Sequence, residues 1–489
     1  MRWELRLEIK HDSDTPLYRQ ISLAIAESAR RGRIRPGAPL PSTRRLAAQL
    51  GVHRNTVITA YEELRAEGWI SSEVARGTYV SSELPENLAR SFARRPLRAP
   101  DRVGFDLARA ALPPDPRYRA PGLLLLYGGI PELRMLPSQE LARALRRTLV
   151  PEPGLADYKD PQGDSRLRAA LAELLRTTRG VPAEASTLLV TQGAQQGLYL
   201  IARALLRPGD VVAVEALGYS NGWQALRLGG AELVPIPMDA HGMDIEALEA
   251  VCARRRVRAV LLTPHHQYPT TVTLAAGRRE KLLGLARRER MMVIEDDYDH
   301  EFHFEGSPVL PLAASDTSGV VVYLGTLAKV LAPGLRLGYL VAPSPIIERL
   351  SNYRVYVDGQ GCHPIERALA ELLEDGTVQR HVARVRRAYR ARRDVLAEEL
   401  ESRLPELVFT VPTGGMALWA RAEGVDVDAW VSRGLDAGVA FQPGRRYTLD
   451  GRSIPFVRLG FAPCNEAEIV EAVRRMVVAR RTTPRGTAR

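Results

Sequence analysis

The sequence predicts two domains of unlike class: a small N-terminal helical module with a β-hairpin wing, and a large α/β domain on a mostly parallel sheet. Three observations carry this reading. Residues 1–80 hold apolar positions at helical spacing, punctuated by glycine, and end in an alternating stretch. From residue 121 to 489, short runs that are apolar on both faces alternate with amphipathic helical stretches, as in buried parallel strands covered by helices. Between them, residues 81–120 contain ARRPLRAPD and ALPPDPRYRAPG, dense in proline and arginine, and read as a linker.

The first element is PLYRQISLAIAESARR, with Leu17, Ile21, Ala24, Ile25 and Ala29 on one helical face and Pro16 suited to the first turn. LPSTRRLAAQLGVHRNTVITAYEELRAEGWI follows. Ser42 is an N-cap candidate for a helix ending at Leu50, and Gly51 is the turn. A second helix runs from about His53 to Glu67, with Val57, Ala60, Tyr61 and Leu64 inward, and Gly68 stops it. WISSEVARGTYV then alternates about a turn at Ala75–Gly77, which makes a hairpin. A helix, a tight turn and a second helix place that second helix in a major groove, so the module predicts a double-stranded DNA operator as partner. His53, Arg54, Asn55 and Thr56 lie where side chains reach base edges. Arg44 and Arg45, behind Ser42, suit phosphates, and Arg76 at the wing tip suits a minor groove.

Charge and cysteine content bound the rest. The formal net charge is +11, which suits a polyanionic partner. Residues 1–80 carry 13 basic residues against 9 acidic. Cys252, Cys362 and Cys464 are far apart and form no CxxC pair, which predicts a reducing compartment, no disulfide framework and no metal. The start, MRWELRLEIK, is charged throughout, and no apolar run is long enough to span a bilayer, so a cytoplasmic protein away from membranes is expected.

In the large domain, TLLVT (187–191), VVAVE (211–215), AVLLT (259–263), MMVIED (291–296) and VVYLG (321–325) read as strands. Ligands in such sheets sit at the carboxyl ends of strands, and reactive side chains cluster there. Lys329 lies in YLGTLAKVLAPGLRLGYL, bracketed by Thr326 and Arg336. Asp296, Asp297 and Tyr298 follow a buried strand. Gly193, Ala194 and Gln195 open a helix whose N–H groups suit a phosphate, and Tyr219 ends another strand. A lysine nucleophile, an acid for a ring nitrogen, a hydroxyl donor and a phosphate cup are the parts that pyridoxal 5′-phosphate (PLP) requires.

LPSTRRLAAQLGVHRNTV…AYEELRAEGWI…RGTYV closely resembles the GntR-type winged helix-turn-helix, with Ala75 where that family usually has glycine. The later segments resemble the fold type I aminotransferases, and the fusion resembles the MocR/GabR-type transcriptional regulators. The resemblance implies that Lys329 forms the Schiff base, Asp296 pairs with the pyridine nitrogen, and Tyr298 contacts the phenolic oxygen. Thr326, Arg336, Gly193, Ala194 and Gln195 would hold the phosphate, and Tyr219 would stack on the ring. It further implies that Arg458, in FVRLGFA, grips an effector carboxylate, and that Tyr158, in DYKDPQGDSRLRAAL, reaches the partner subunit's cofactor in a head-to-tail homodimer.

Departures are local. In TPHHQYPTTVT, Tyr268 replaces the aminotransferase asparagine that donates to the phenolic oxygen, with His266 and Gln267 as the available substitutes, and Thr271 stands at a glycine position. EDDY is shorter than the aminotransferase spacing and leaves both Asp296 and Asp297 open for the pyridine nitrogen. Asn221, after Tyr219, is neutral and disfavours a second effector carboxylate there.

Two functions follow. One is a PLP-dependent DNA-binding regulator whose dimer responds to an amine, an amino acid or PLP itself. The other is an aminotransferase with an appended DNA-binding domain, since the residues for transamination are present.

Overall fold

The computed structural model describes residues 9, 13, 15–73, 77–85, 104–106, 121–149, 157–306 and 309–481. The chain divides into two compact units, Met1–Ala111 and Leu112–Arg489.

In the first unit, helix α1 (Leu17–Arg30), helix α2 (Thr43–Leu50) and helix α3 (Arg54–Ala66) precede a hairpin of β1 (Ile70–Glu73) and β2 (Gly77–Val80). Ser42 caps α2 by accepting from the Arg45 amide, and His53 caps α3 through Nδ1, which accepts from the Asn55 amide. Gly51 closes α2 in the left-handed region (φ 65°), a conformation that costs a β-carbon-bearing residue. Ile21, Ile25, Leu46, Val57, Ala60, Leu64, Ile70 and Val80 form one buried core. The buried Tyr61 hydroxyl donates to the Pro41 carbonyl, and the Ser22 hydroxyl donates to Glu63. The first bond ties α3 to the residues just before α2, and the second ties α3 to α1.

The second unit is built on a seven-stranded sheet. Its strands are β3 (Leu188–Thr191), β4 (Val211–Glu215), β5 (Glu232–Ile236), β6 (Val257–Leu262), β7 (Met292–Asp297), β8 (Val321–Thr326) and β9 (Gly338–Val341). They lie in the order β3-β9-β8-β7-β6-β4-β5. All neighbours are parallel except β9, which runs antiparallel to β8 and β3. Every residue of β3, β4, β8 and β9 is buried, as runs apolar on both faces require. Separate apolar clusters contain Val190, Val260 and Tyr323 on one hand, and Leu189, Leu261 and Ile294 on the other. These are the two faces of one pleated sheet. A smaller antiparallel sheet follows, ordered β10 (Leu407–Phe409), β11 (Ala417–Ala422), β13 (Phe456–Gly460) and β12 (Gln442–Pro443). Among the described residues, no helix is long and apolar enough to cross a membrane.

Candidate functional site

In the first unit, Arg44, Arg45, His53, Arg54 and Asn55 are exposed and Thr56 is half-buried. The Ser42 hydroxyl and His53 Nδ1 are engaged as helix caps, and Arg54 Nε donates to the Thr43 hydroxyl. Arg76 and Ala75 lie outside the described residues.

In the second unit, the carboxyl ends of β4, β6, β7 and β8 and the middle of strand β13 supply one contiguous constellation. Lys329, three residues beyond β8, donates from Nζ to the Gly129 carbonyl at 2.7 Å. Gly128 leaves room for Arg458: a β-carbon there would lie 1.8 Å from Arg458 Nη1. Arg458, on β13, is 0% exposed. Its Nε donates to the Pro269 carbonyl at 3.4 Å, and its Cζ lies 4.3 Å above the Tyr268 ring. Both terminal nitrogens are buried without a hydrogen-bond partner among the described residues. Tyr268 stands at the centre, edge-on to Tyr219 (5.8 Å), Tyr298 (5.8 Å) and Tyr447 (5.4 Å).

The two acids left open by the sequence separate because successive strand residues face opposite sides of a sheet. Asp296 is buried close enough to Lys329 for the ammonium to act on its ionisation, and its Oδ1 has no partner among the described residues. Burial, with Asp297 next, pushes Asp296 up to about 7. Asp297 accepts from the Tyr323 hydroxyl (2.6 Å) and lies beside His300 (3.2 Å) and Arg179 (3.5 Å). Burial works against its charge, but His300 and Arg179 hold it well below the usual carboxylate range. Asp297 is thus engaged in a buried network with Tyr323, His300 and Arg179.

Helix α4 (Ala194–Leu205) begins after Gly193, which adopts φ 87° as its N-cap. The first N–H groups of a helix lack intrahelical partners. The Arg336 guanidinium approaches this turn: it lies 3.5–3.6 Å from where a Gly193 β-carbon would sit, and Nη2 donates to the Gln192 carbonyl at 2.8 Å. Gly193, Ala194, Gln195 and Arg336 thus form one basic, donor-rich cup. The Thr326 hydroxyl donates to the Leu337 carbonyl and accepts from the Ala328 amide, both at 3.0 Å, and so shapes the loop that presents Lys329.

The expected substitutes for the missing asparagine also point elsewhere. His266 Nδ1 pairs with Asp299 at 2.9 Å. Gln267 Nε2 donates to Glu215 and to the carbonyls of Leu217 and Tyr268, while its oxygen accepts from Thr270. Both side chains hold the loop; Tyr268 itself enters the site. Thr271 sits in the left-handed region at φ 64°, which explains a glycine preference at this position. Thr271→Gly is expected to stabilise the protein by about 1 kcal/mol, read as a rise in thermal midpoint.

Tyr158 is 91% exposed, and its backbone amide donates to the Asp157 carboxylate. Three contributors carry no sequence signal of their own: Tyr447, whose hydroxyl donates to Gln442 (2.7 Å), the Gly128–Gly129 turn, and Glu215. Glu215 is buried at the end of β4, accepts from the Thr263 amide and hydroxyl, and is pushed up to about 8, chiefly by burial. Burial, with Asp297 adding, raises Glu295 likewise to about 8.

These carboxyls have a thermodynamic consequence. A carboxyl raised in the folded state favours folding while protonated, and that contribution disappears as pH rises through the folded value. Cofactor-free protein should therefore lose thermal stability from about pH 4.5 to about pH 8. Asp296→Asn should flatten the profile, and an unchanged slope would contradict the burial argument. The depressed Asp297 acts only at lower pH, where acid removes its contribution.

A winged helix with a basic α3 start, beside a fold with a lysine, a buried acid and a buried arginine at strand ends, defines a PLP-dependent DNA-binding regulator. The family model for gntR bacterial regulatory proteins matches residues 17–80, and that for aminotransferase class I and II matches residues 129–476. The probable rhizopine catabolism regulatory protein MocR of Rhizobium meliloti is 32% identical over 96% of this chain and 94% of its own. The transcriptional regulator TauR of Rhodobacter capsulatus is 35% identical over 95% and 96%. The crystal structure of LysN, an α-aminoadipate aminotransferase from Thermus thermophilus complexed with N-(5′-phosphopyridoxyl)-L-leucine, superposes with a TM-score of 0.69 at 31% identity, covering 73% of this chain and 92% of that one. The chain belongs to the MocR-type family of transcriptional regulators: its N-terminal domain binds DNA and its large domain is of the PLP-dependent aminotransferase class.

Proposed function

We propose that the large domain is a sensor, in which an amine, an amino acid or PLP itself, acting at Lys329, changes how a dimer holds its operator. The observation that carries this is the buried Arg458 fork, which has no protein partner among the described residues and stands over Tyr268 beside the lysine turn. The residues fit the cofactor: among the described residues Asp296 Oδ1 has no hydrogen-bond partner, the buried Tyr298 hydroxyl lies near Asp299, and the α4 cup presents free helix-start amides, where its ring nitrogen, phenolic oxygen and phosphate would sit.

When bound, the cofactor supplies an electrophilic carbon and an electron-withdrawing ring. Lys329 would be the nucleophile that holds it. Asp296 would keep a proton at the ring nitrogen. Tyr298 would donate at the phenolic oxygen, and Tyr219 and Tyr268 would wall the ring. Arg336 and the amides of Gly193, Ala194 and Gln195 would take the phosphate. Arg458 binds a carboxylate bidentately, which planar recognition of an amino acid requires. An amino-acid effector so docked would present its amine beside Lys329 Nζ. To act as a switch it must bind the two domain states with different affinity.

Two copies are proposed to pair head-to-tail, with the exposed Tyr158 of one reaching the site of the other. That places two readers on paired half-sites. Light scattering tests this: full operator affinity in a monomeric preparation would oppose it. On the DNA side, Arg54→Ala is expected to weaken operator binding by about 1–3 kcal/mol, and Arg44→Ala to reduce the salt dependence of binding by a slope of about 1. Electrophoretic mobility shifts across a salt series measure both.

A second reading, a working aminotransferase with a DNA-binding appendage, is favoured by the retention of lysine, acid and carboxylate arginine together. Sustained multi-turnover transamination would select it. Operator affinity that responds to amino acids without turnover selects the sensor.

A further inference from the structure

We propose that His265, His266 and His303 form a site for a divalent transition-metal ion of the zinc class, behind the Tyr268–Tyr298 wall. The expectation of no metal rested on cysteine alone; the fold assembles imidazoles instead. One ring nitrogen of each histidine lies within 4.8 Å of the others. The three come from two loops, one after β6 and one after β7. His265 and His266 are in ring contact at 4.3 Å, and His266 stacks on His303 at 6.1 Å.

Three observations point to a missing partner. Both nitrogens of His265 are buried without a hydrogen bond among the described residues, and those of His303 are buried beside the Glu305 backbone. A buried imidazole normally satisfies at least one nitrogen, so His265 asks for an acceptor of its lone pair. Second, His266 Nδ1 is held by Asp299 at 2.9 Å. A carboxylate on one ring nitrogen fixes the tautomer that leaves the other nitrogen as ligand, the usual outer support of a metal-binding histidine. Third, the space before His266 Nε2 is kept by a glycine: a β-carbon at Gly414 would lie 2.4 Å from that nitrogen.

Imidazole nitrogens suit zinc, copper, nickel or iron, not calcium or magnesium. Tetrahedral zinc at about 2.0–2.1 Å from each nitrogen sets them about 3.4 Å apart, so the rings must draw in by up to about 1.4 Å. A cavity of about 530 Å³ is lined by His300 and His303 and so reaches the His303 edge of the cluster. Three protein ligands leave the fourth position to water. The ion would tie the loop bearing Tyr268 to the segment bearing Tyr298, so metal content would set the stiffness of the effector site without entering its chemistry.

The test uses full-length protein, stripped with chelator, exposed to equimolar zinc or cobalt(II), desalted and analysed by elemental mass spectrometry and visible absorption. A single retained ion per chain, with the intense d–d bands of tetrahedral cobalt, is expected. His265→Ala and His303→Ala should each lower metal affinity by more than about tenfold, while the exposed His241→Ala should not. Lys329→Ala should keep the metal, which separates this proposal from the cofactor reading. His303→Gln, a milder change at the cavity edge, stands in if an alanine variant fails to fold. No retained ion in the wild type, or uptake unchanged in both His265 and His303 variants, overturns the proposal.

Discussion

Lys329→Ala protein is expected to lack the visible absorption of lysine-bound PLP and to lose all response of operator affinity to amines. The effect should be complete because, among the described residues, Lys329 is the lysine that lies beyond the carboxyl end of a strand of the large sheet. Of the residues around the cup and the acid, Lys329 alone carries an amine, held at 2.7 Å from the Gly129 carbonyl. Around it lie Asp296 on β7, Arg336 beside the start of α4 and the Thr326 hydroxyl, which fixes the intervening loop; together they are the cradle proposed for the cofactor. Removing the amine leaves that cradle intact, so residual non-covalent binding is compatible with the account, whereas retention of the band is not. DNA binding itself should survive, since the winged helix has its own core.

Arg458→Ala is expected to weaken binding of any carboxylate-bearing effector by about 2–3 kcal/mol, on the order of a hundredfold, as befits loss of a buried charge-assisted contact. Arg458→Lys should recover only part of this, because an ammonium keeps the charge but not the fork. Simple amines without a carboxylate should be nearly indifferent to both changes. The cofactor band should persist in both, since the arginine approaches Tyr268 and Pro269 and not the phosphate cup. Titration of the visible spectrum with amino acids against matched amines measures this directly. Equal losses for both ligand classes would mean that Arg458 supports packing around Tyr268 and not recognition.

Much of this architecture is legible in the sequence, for identifiable reasons. The reader domain declares itself because Ser42, Gly51 and Gly68 punctuate short helices, and local capping decides where those begin and end. Strands β4, β7 and β8 are legible because burial on both faces forces continuous apolar runs. Strand β9 is not, because GYLV continues directly from the loop that carries Arg336. The edge strand β5 is half-exposed and contains Pro235, which reads as a break. The small second sheet is assembled from strands of two to six residues far apart in the chain.

The site divides in the same way. Lys329, Arg336 and Arg458 sit in recognisable segments. The choice between Asp296 and Asp297 needs the pleat of β7, which sends adjacent acids to opposite sides. The reassignment of His266 and Gln267 needs their partners, Asp299 and Glu215, which lie 33 and 52 residues away. Tyr447 and the histidine cluster exist only as tertiary neighbours, so no local pattern announces them.

The central claim is that chemistry at Lys329 is coupled to the grip of the winged helix on DNA. Its most direct test is operator affinity of the full-length PLP-loaded protein, measured by fluorescence anisotropy across a screen of amines, amino acids and free PLP, with Lys329→Ala in parallel. The account predicts that at least one of these ligands shifts wild-type affinity by about fivefold or more while Lys329→Ala stays flat. Identical titrations for wild type and Lys329→Ala, or a wild type that binds ligand at Lys329 with no change in DNA affinity, would contradict it.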